Sequence, residues 1–133
     1  MAMPLAKAND QVLATDVHIV FVPYGPALVP TPLPHPFTGV VGGGLAPTVK
    51  VGGQAAAVVG STADNQPPHI PTPPGTSFQK PPANRATIQV GSATVRIAGK
   101  GAARNGDPAV TCNDPADMPV GTVVAVGTVT AGG

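Results

Sequence analysis

Glutamate and tryptophan do not occur in this chain, cysteine occurs once, and only 7 basic and 6 acidic side chains are spread over 133 residues. Each scarcity removes a class of function. The acids are Asp10, Asp16, Asp64, Asp107, Asp114 and Asp117, all in turn-like contexts, so no paired carboxylates present themselves for acid–base chemistry. Ser61, Ser77 and Ser92 lack a nucleophile-elbow sequence, and "AVTCND" around Cys112 matches no cysteine-hydrolase context. No catalytic residue is assigned, and the chain is not expected to be an enzyme. A formal charge of +1 offers no basic field for nucleic acid. One cysteine cannot make an intrachain disulfide. No stretch approaches the ~18 apolar residues of a membrane helix. "MAMPLAKANDQVLATD" lacks the charged start and apolar run of a signal peptide, so synthesis in the cytoplasm is expected.

Glycine and proline are abundant, at 17 and 18 residues, which raises the alternative of a disordered segment. Hydrophobic residues make up 42% of the chain and the net charge is near zero, which favours collapse into a single domain over 1–133. The core must be thin: valine dominates it, and the aromatics are Phe21, Phe37, Phe78 and Tyr24. Something besides apolar burial is expected to hold it. No window of a dozen residues shows an uninterrupted helical stripe. "HIVFVPYG", "PTVKVGG", "ATIQVGSATVRIAGK" and "GTVVAVGTVTAGG" read as short strands joined by glycine turns, so the fold class is all-β. Residues 1–11 are read as a flexible N-terminal segment, and residues 23–39 and 65–82 as proline-rich, extended loops.

The chain also repeats itself. "TVKVGGQAAAVVGS" (48–61) and "TVRIAGKGAARNGD" (94–107) match in register, and "MPVGTVVAVGTVTAGG" begins a third copy. That copy reaches Gly133 before any alanine run, so the two ends of the chain are expected to complete one lobe together.

His18, His35, His69 and Cys112 are all the histidines and cysteines there are. Taken singly, a loop histidine is more often solvated and a lone cysteine is often a small buried hydrophobe. Their positions argue otherwise: His18, His69 and Cys112 each follow the end of a lobe. Three convergent lobes would bring them together, with His35 as a fourth ligand. Three imidazoles and a thiolate would close the shell of one Zn2+, leaving no open position for catalysis, so the ion is expected to be structural. Asp16, two residues before His18, is a candidate for orienting an imidazole from outside the shell.

The repeats resemble those of PAAR proteins, the spike tips of bacterial contractile injection systems. "GAAR" at Gly101–Arg104 stands where the family has Pro-Ala-Ala-Arg, Gly106 and Asp107 follow it, and the ligand set resembles the family's zinc site. Gly101 replaces the leading proline, Val58 stands for the arginine in the first copy, and "DVHIV" departs from the usual Ser-His-Gly. The resemblance implies a PAAR-like branch of a type VI secretion system or of a phage-tail-like extracellular injection particle. It implies a small cone of short β-hairpins with internal threefold pseudosymmetry, stapled by a metal near the apex. As a monomer, the cone would cap a trimeric VgrG-type spike protein, touch the target membrane transiently, be delivered outside the cell and recruit effector cargo. Contact residues on the spike stay unassigned. The alternative class is a stand-alone, zinc-stabilised β module with a binding or adhesive role.

Overall fold

A computed structural model of the chain describes residues 2–132. Among them there are thirteen strands and no helix. In chain order they are β1 (Met3–Pro4), β2 (Gln11–Tyr24), β3 (Ala27–Gly43), β4 (Ala46–Val51), β5 (Gln54–Ala56), β6 (Thr62–Asn65) and β7 (Ser77–Phe78). They continue with β8 (Arg85–Ile88), β9 (Arg96–Ile97), β10 (Lys100–Gly101), β11 (Pro108–Thr111), β12 (Met118–Val124) and β13 (Thr130–Ala131).

One large antiparallel sheet runs β12-β11-β8-β6-β3-β2-β7, and β12 also pairs with β2, so six of its strands close into a ring. Closure removes the open edges that a flat sheet of this size would present. Between ring strands the chain makes two-stranded pairs, β4–β5 after β3 and β9–β10 after β8. After β12, the equivalent pair is β13 with β1, Ala131 opposite Met3 and Thr130 opposite Pro4. Segments from the two ends of the described chain thus meet, in line with the expectation that they come together. The expected flexible segment over 1–11 is therefore corrected for its described residues: Leu5 and Ala6 are buried, and β1 is paired.

Three short turns lead from these pairs into the ring, and they carry the same bonds. Asp10 Oδ2 accepts the Lys7 N–H at 3.0 Å, Ser61 Oγ the Val58 N–H at 3.0 Å, and Asp107 Oδ2 the Arg104 N–H at 2.7 Å. The third residue of each turn is left-handed, with φ of 72° at Asn9, 94° at Gly60 and 90° at Gly106, which selects Gly and Asn. Just before these turns, three alanine peptides bond in a closed circuit. Ala6 N–H donates to Ala103 O at 2.8 Å, Ala103 N–H to Ala57 O at 3.0 Å, and Ala57 N–H to Ala6 O at 3.0 Å. Three backbones that close leave room only for small side chains. The alanine runs of the repeats are the sequence form of that limit.

The core is correspondingly fine-grained. Val12, Val41, Ala63, Ile88, Ala109 and Val123 fill the ring, with Phe37 as its one large side chain. Leu5, Val51, Val58 and Ile97 form a second cluster with the alanines of the two-stranded pairs.

β2 and β3 run on beyond the ring as one long hairpin, paired from Gln11 opposite Val40 to Tyr24 opposite Ala27. The reading of residues 23–39 as a loop is corrected here. Pro30, Pro32, Pro34 and Pro36 occupy alternate positions of β3, in step with Thr38, whose N–H and C=O bond to Asn65 and Gln66 on the side away from β2. Their missing N–H groups thus face away from the partner strand, where an edge strand tolerates proline. The segment 65–82 is largely irregular, apart from Asn65 at the end of β6 and the short β7.

Gly39 shows how little space the ring leaves, since a Cβ there would lie 2.6 Å from Phe37 Cε1 and 2.9 Å from Ala63 Cβ. Gly39→Ala is expected to destabilise the fold by about 1–3 kcal/mol through overpacking. Urea unfolding measures it, and an unchanged midpoint would contradict this packing.

Candidate metal centre

Strand alternation places Val12, Ala14, Asp16, His18 and Val20 on one face of β2. Asp16 and His18 thus occupy positions where the pattern otherwise puts apolar side chains, and both are buried. Across the hairpin, His35 is opposite Asp16 and is buried as well. His69 comes from the irregular segment after β6, and Cys112 directly follows β11. The ligand atoms of Asp16, His18, His69 and Cys112 all lie within 4.8 Å of one another, which makes a buried cluster able to hold a metal ion.

Asp16 is its hub. His69 Nε2 donates to Asp16 Oδ2 at 2.8 Å, the Cys112 thiol donates to the same oxygen at 3.4 Å, and Thr111 Oγ1 donates to Oδ1. Asn113 Nδ2 in turn donates to Thr111 Oγ1 at 3.2 Å. The segment after β11 is laced to β2 through side chains: Val17 N–H donates to Asn113 Oδ1 at 2.7 Å, and Ile19 N–H to Asp114 Oδ2 at 2.9 Å. Asp114 N–H completes the lacing by donating to Val17 O at 2.8 Å. His69 is fixed by its own N–H, which donates to Asn84 Oδ1 at 2.7 Å.

His18 is the exception, because among the described residues neither of its buried ring nitrogens has a hydrogen-bond partner. A buried polar group without a partner costs about 1–3 kcal/mol. Its Nδ1 faces Asp114 Oδ2 at 3.5 Å, beyond good bonding distance but correctly placed for a carboxylate that orients a ligating imidazole. That leaves Nε2 for an ion. The orphaned imidazole, together with a thiol, a second imidazole and a carboxylate, fits a tetrahedral metal site.

The sequence reading put His35 in the shell and Asp16 outside it. The structure groups them differently. The His35 ring does join the cluster, 5.4 Å from the His18 ring and 5.6 Å from the His69 ring. Its nitrogens, however, are both engaged by backbone: Nδ1 donates to Leu33 O at 2.9 Å, and Nε2 accepts the Thr72 N–H at 3.1 Å. Asp16 takes the place given to His35. Asp114, which accepts the Ile19 N–H of β2 and lies 3.5 Å from His18 Nδ1, is an addition to the residues the sequence singles out. The pairing of Asp16 with His18 on one strand face was a signal for the first, whereas nothing local in "TCNDP" announces the second.

Burial sets the protonation of His18, His35 and Cys112. It lowers His18 and His35 below the ordinary histidine value, against an opposing pull from Asp114 on His18 and from the Leu33 carbonyl on His35. It pushes the Cys112 thiol up to about 11, with the negative charge of Asp16 adding to the effect. Imidazoles kept neutral are in the ligating form, while a thiol must lose its proton to bind metal, so affinity rises with pH.

No family model, curated protein or solved structure matches the chain. The functional argument therefore rests on this geometry.

Two outcomes follow. Asp16→Asn is expected to weaken metal binding by more than His35→Gln, as read by competition with a chromophoric chelator; the reverse order would return His35 to the shell. The metal-free protein favours neutral His18 and His35, so it binds fewer protons than the unfolded chain on the acid side. That stability is complete above the ordinary histidine value of 6.5 and is lost as pH falls below it. The Cys112 contribution is present below about 9 and lost as pH rises through about 11. Thermal melts of chelated protein should show a plateau between these limbs, and a Tm that does not fall below pH 6.5 would contradict the acid limb.

Proposed function

We propose that the protein is a PAAR-like spike tip, a metal-stapled cap for a trimeric VgrG-type spike. The observation that carries this reading is the closed circuit of Ala6, Ala57 and Ala103, with its three alike turns at Lys7–Asp10, Val58–Ser61 and Arg104–Asp107. Such a circuit is what internal threefold pseudosymmetry requires of one chain, and a monomer can sit squarely on a threefold partner only with three similar faces. The pairs β4–β5, β9–β10 and β13–β1, which lie at one end of the ring strands, would supply those faces. At the other end, the long β2–β3 hairpin and the metal cluster would form the narrowing apex.

In this role the ion is Zn2+ and it is structural. His18, His69, Cys112 and Asp16 would hold it, closing the shell and tying together β2, the segment after β6 and the segment after β11. A core of alanine and valine resists splaying poorly, whereas zinc contributes about 10 kcal/mol or more to small domains. The tip would be assembled in the bacterial cytoplasm, carried out on the spike and pressed transiently against a target membrane, with cargo attached or not.

Metal analysis of purified protein should give one zinc per chain, with a chelator lowering the Tm sharply. Mixed with a folded VgrG-type trimer, the protein should elute as one chain per three spike subunits. Failure to bind that trimer would overturn the cap, and a Tm indifferent to chelation would overturn the staple.

A further inference from the structure

We propose that the cleft between the Lys80–Ala83 segment and the Asn113–Asp117 segment is the route by which a divalent cation reaches the cluster. This inference rests on the metal-centre reading given above. The cleft has a volume of about 40 Å³, enough for an ion with little of its water, and His18 and Cys112 line it. His18 is 1% exposed and its two ring nitrogens have no partner, so an unsatisfied ligand waits on its wall. Asp114 and Asp117 line the same cleft, with Asp114 Oδ2 3.5 Å from His18 Nδ1 and Asp117 exposed to solvent. Lys80 is the one cation among the lining residues, and two carboxylates outweigh it.

A second cleft, of about 220 Å³, also reaches the cluster, through His35 and His69. It is larger but carries no carboxylate, and Pro36, Pro67, Pro68 and Ile70 line it. Both nitrogens of His35 are bonded to backbone there, and His69 Nε2 is turned to Asp16 inside the cluster. Thr38, Asn65, Gln66 and Thr72 complete its lining, so a hydrated cation meets neutral groups and no opposite charge on that side. On the other side it meets Asp117, then Asp114, then a free imidazole and a thiol. Charge at a narrow mouth raises the local cation concentration and the association rate.

The test is stopped-flow uptake of Co2+ by the metal-free full chain, followed by the thiolate–metal absorption band. Asp117→Lys should slow uptake roughly tenfold at low ionic strength, with the gap closing in high salt. Ala83→Trp should slow it in low and high salt alike, by filling the mouth. Ile70→Trp, in the other cleft, should leave the rate unchanged, and all three variants should still take up one metal per chain. If Ile70→Trp alone slows uptake, or if neither Asp117→Lys nor Ala83→Trp does, the route is overturned while the metal centre stands. Wild-type protein that takes up no metal at any concentration overturns the centre, and the route with it.

Discussion

Three alanine peptides bonded in a circuit set the width on which the rest of the molecule depends. When backbones approach to within 3.0 Å on all three sides, no branched side chain fits between them. The next layer can be only slightly larger, and Val12, Val41, Ile88 and Val123 occupy it. Each methylene buried there contributes about 0.8 kcal/mol, so a core built from methyl groups is weak for its length. The same constraint that keeps the core side chains small leaves the fold short of apolar stabilisation. Dense main-chain bonding compensates in part: the ring closes, and even the two ends of the chain are paired.

Past the ring the solution changes from apolar packing to polar saturation. Asp16, His18, His35 and Thr111 are buried where Val and Ala would continue the core, and desolvating them is costly unless every group is satisfied. Asp16 meets that condition through His69, Cys112 and Thr111, and His35 meets it through backbone. His18 does not. A polar network with one open member is a liability in itself, yet a cation at that member would turn the liability into the strongest tie in the domain. This asymmetry, rather than the mere presence of histidines, is the physical case for a metal.

Much of this was legible in the residues, and the parts that were not have particular causes. The all-β class follows from Val/Thr runs cut by glycine, whereas the pairing of β1 with β13 has no signal in "MAMPL", whose partner lies near the other end of the sequence. His18, His69 and Cys112 were found because each follows a repeat. The prolines of "VPTPLPHPF" were misread because their density suggested a loop, whereas their spacing of two matches a strand with one bonded side. An aspartate two residues before a histidine reads as an orienting group outside the shell, yet its alternation with His18 along β2 brings its carboxylate into the cluster. Asp114 and the engaged nitrogens of His35 were beyond reach, since each depends on which distant backbone passes nearby.

The repeated and the unrepeated parts of the chain thus do separate work. The turns and the alanines recur because three backbones bond to one another there, and equal spacing demands equal residues. Beyond the ring, the three arms differ: a long hairpin carries Asp16, His18 and His35, an irregular segment carries His69, and a short segment carries Cys112. Identical arms would offer identical ligands, so a cluster that mixes carboxylate, imidazole and thiol requires that the repeat be abandoned there. On the proposed reading, sameness at one end matches a trimeric partner, and divergence at the other builds one site from three unlike arms.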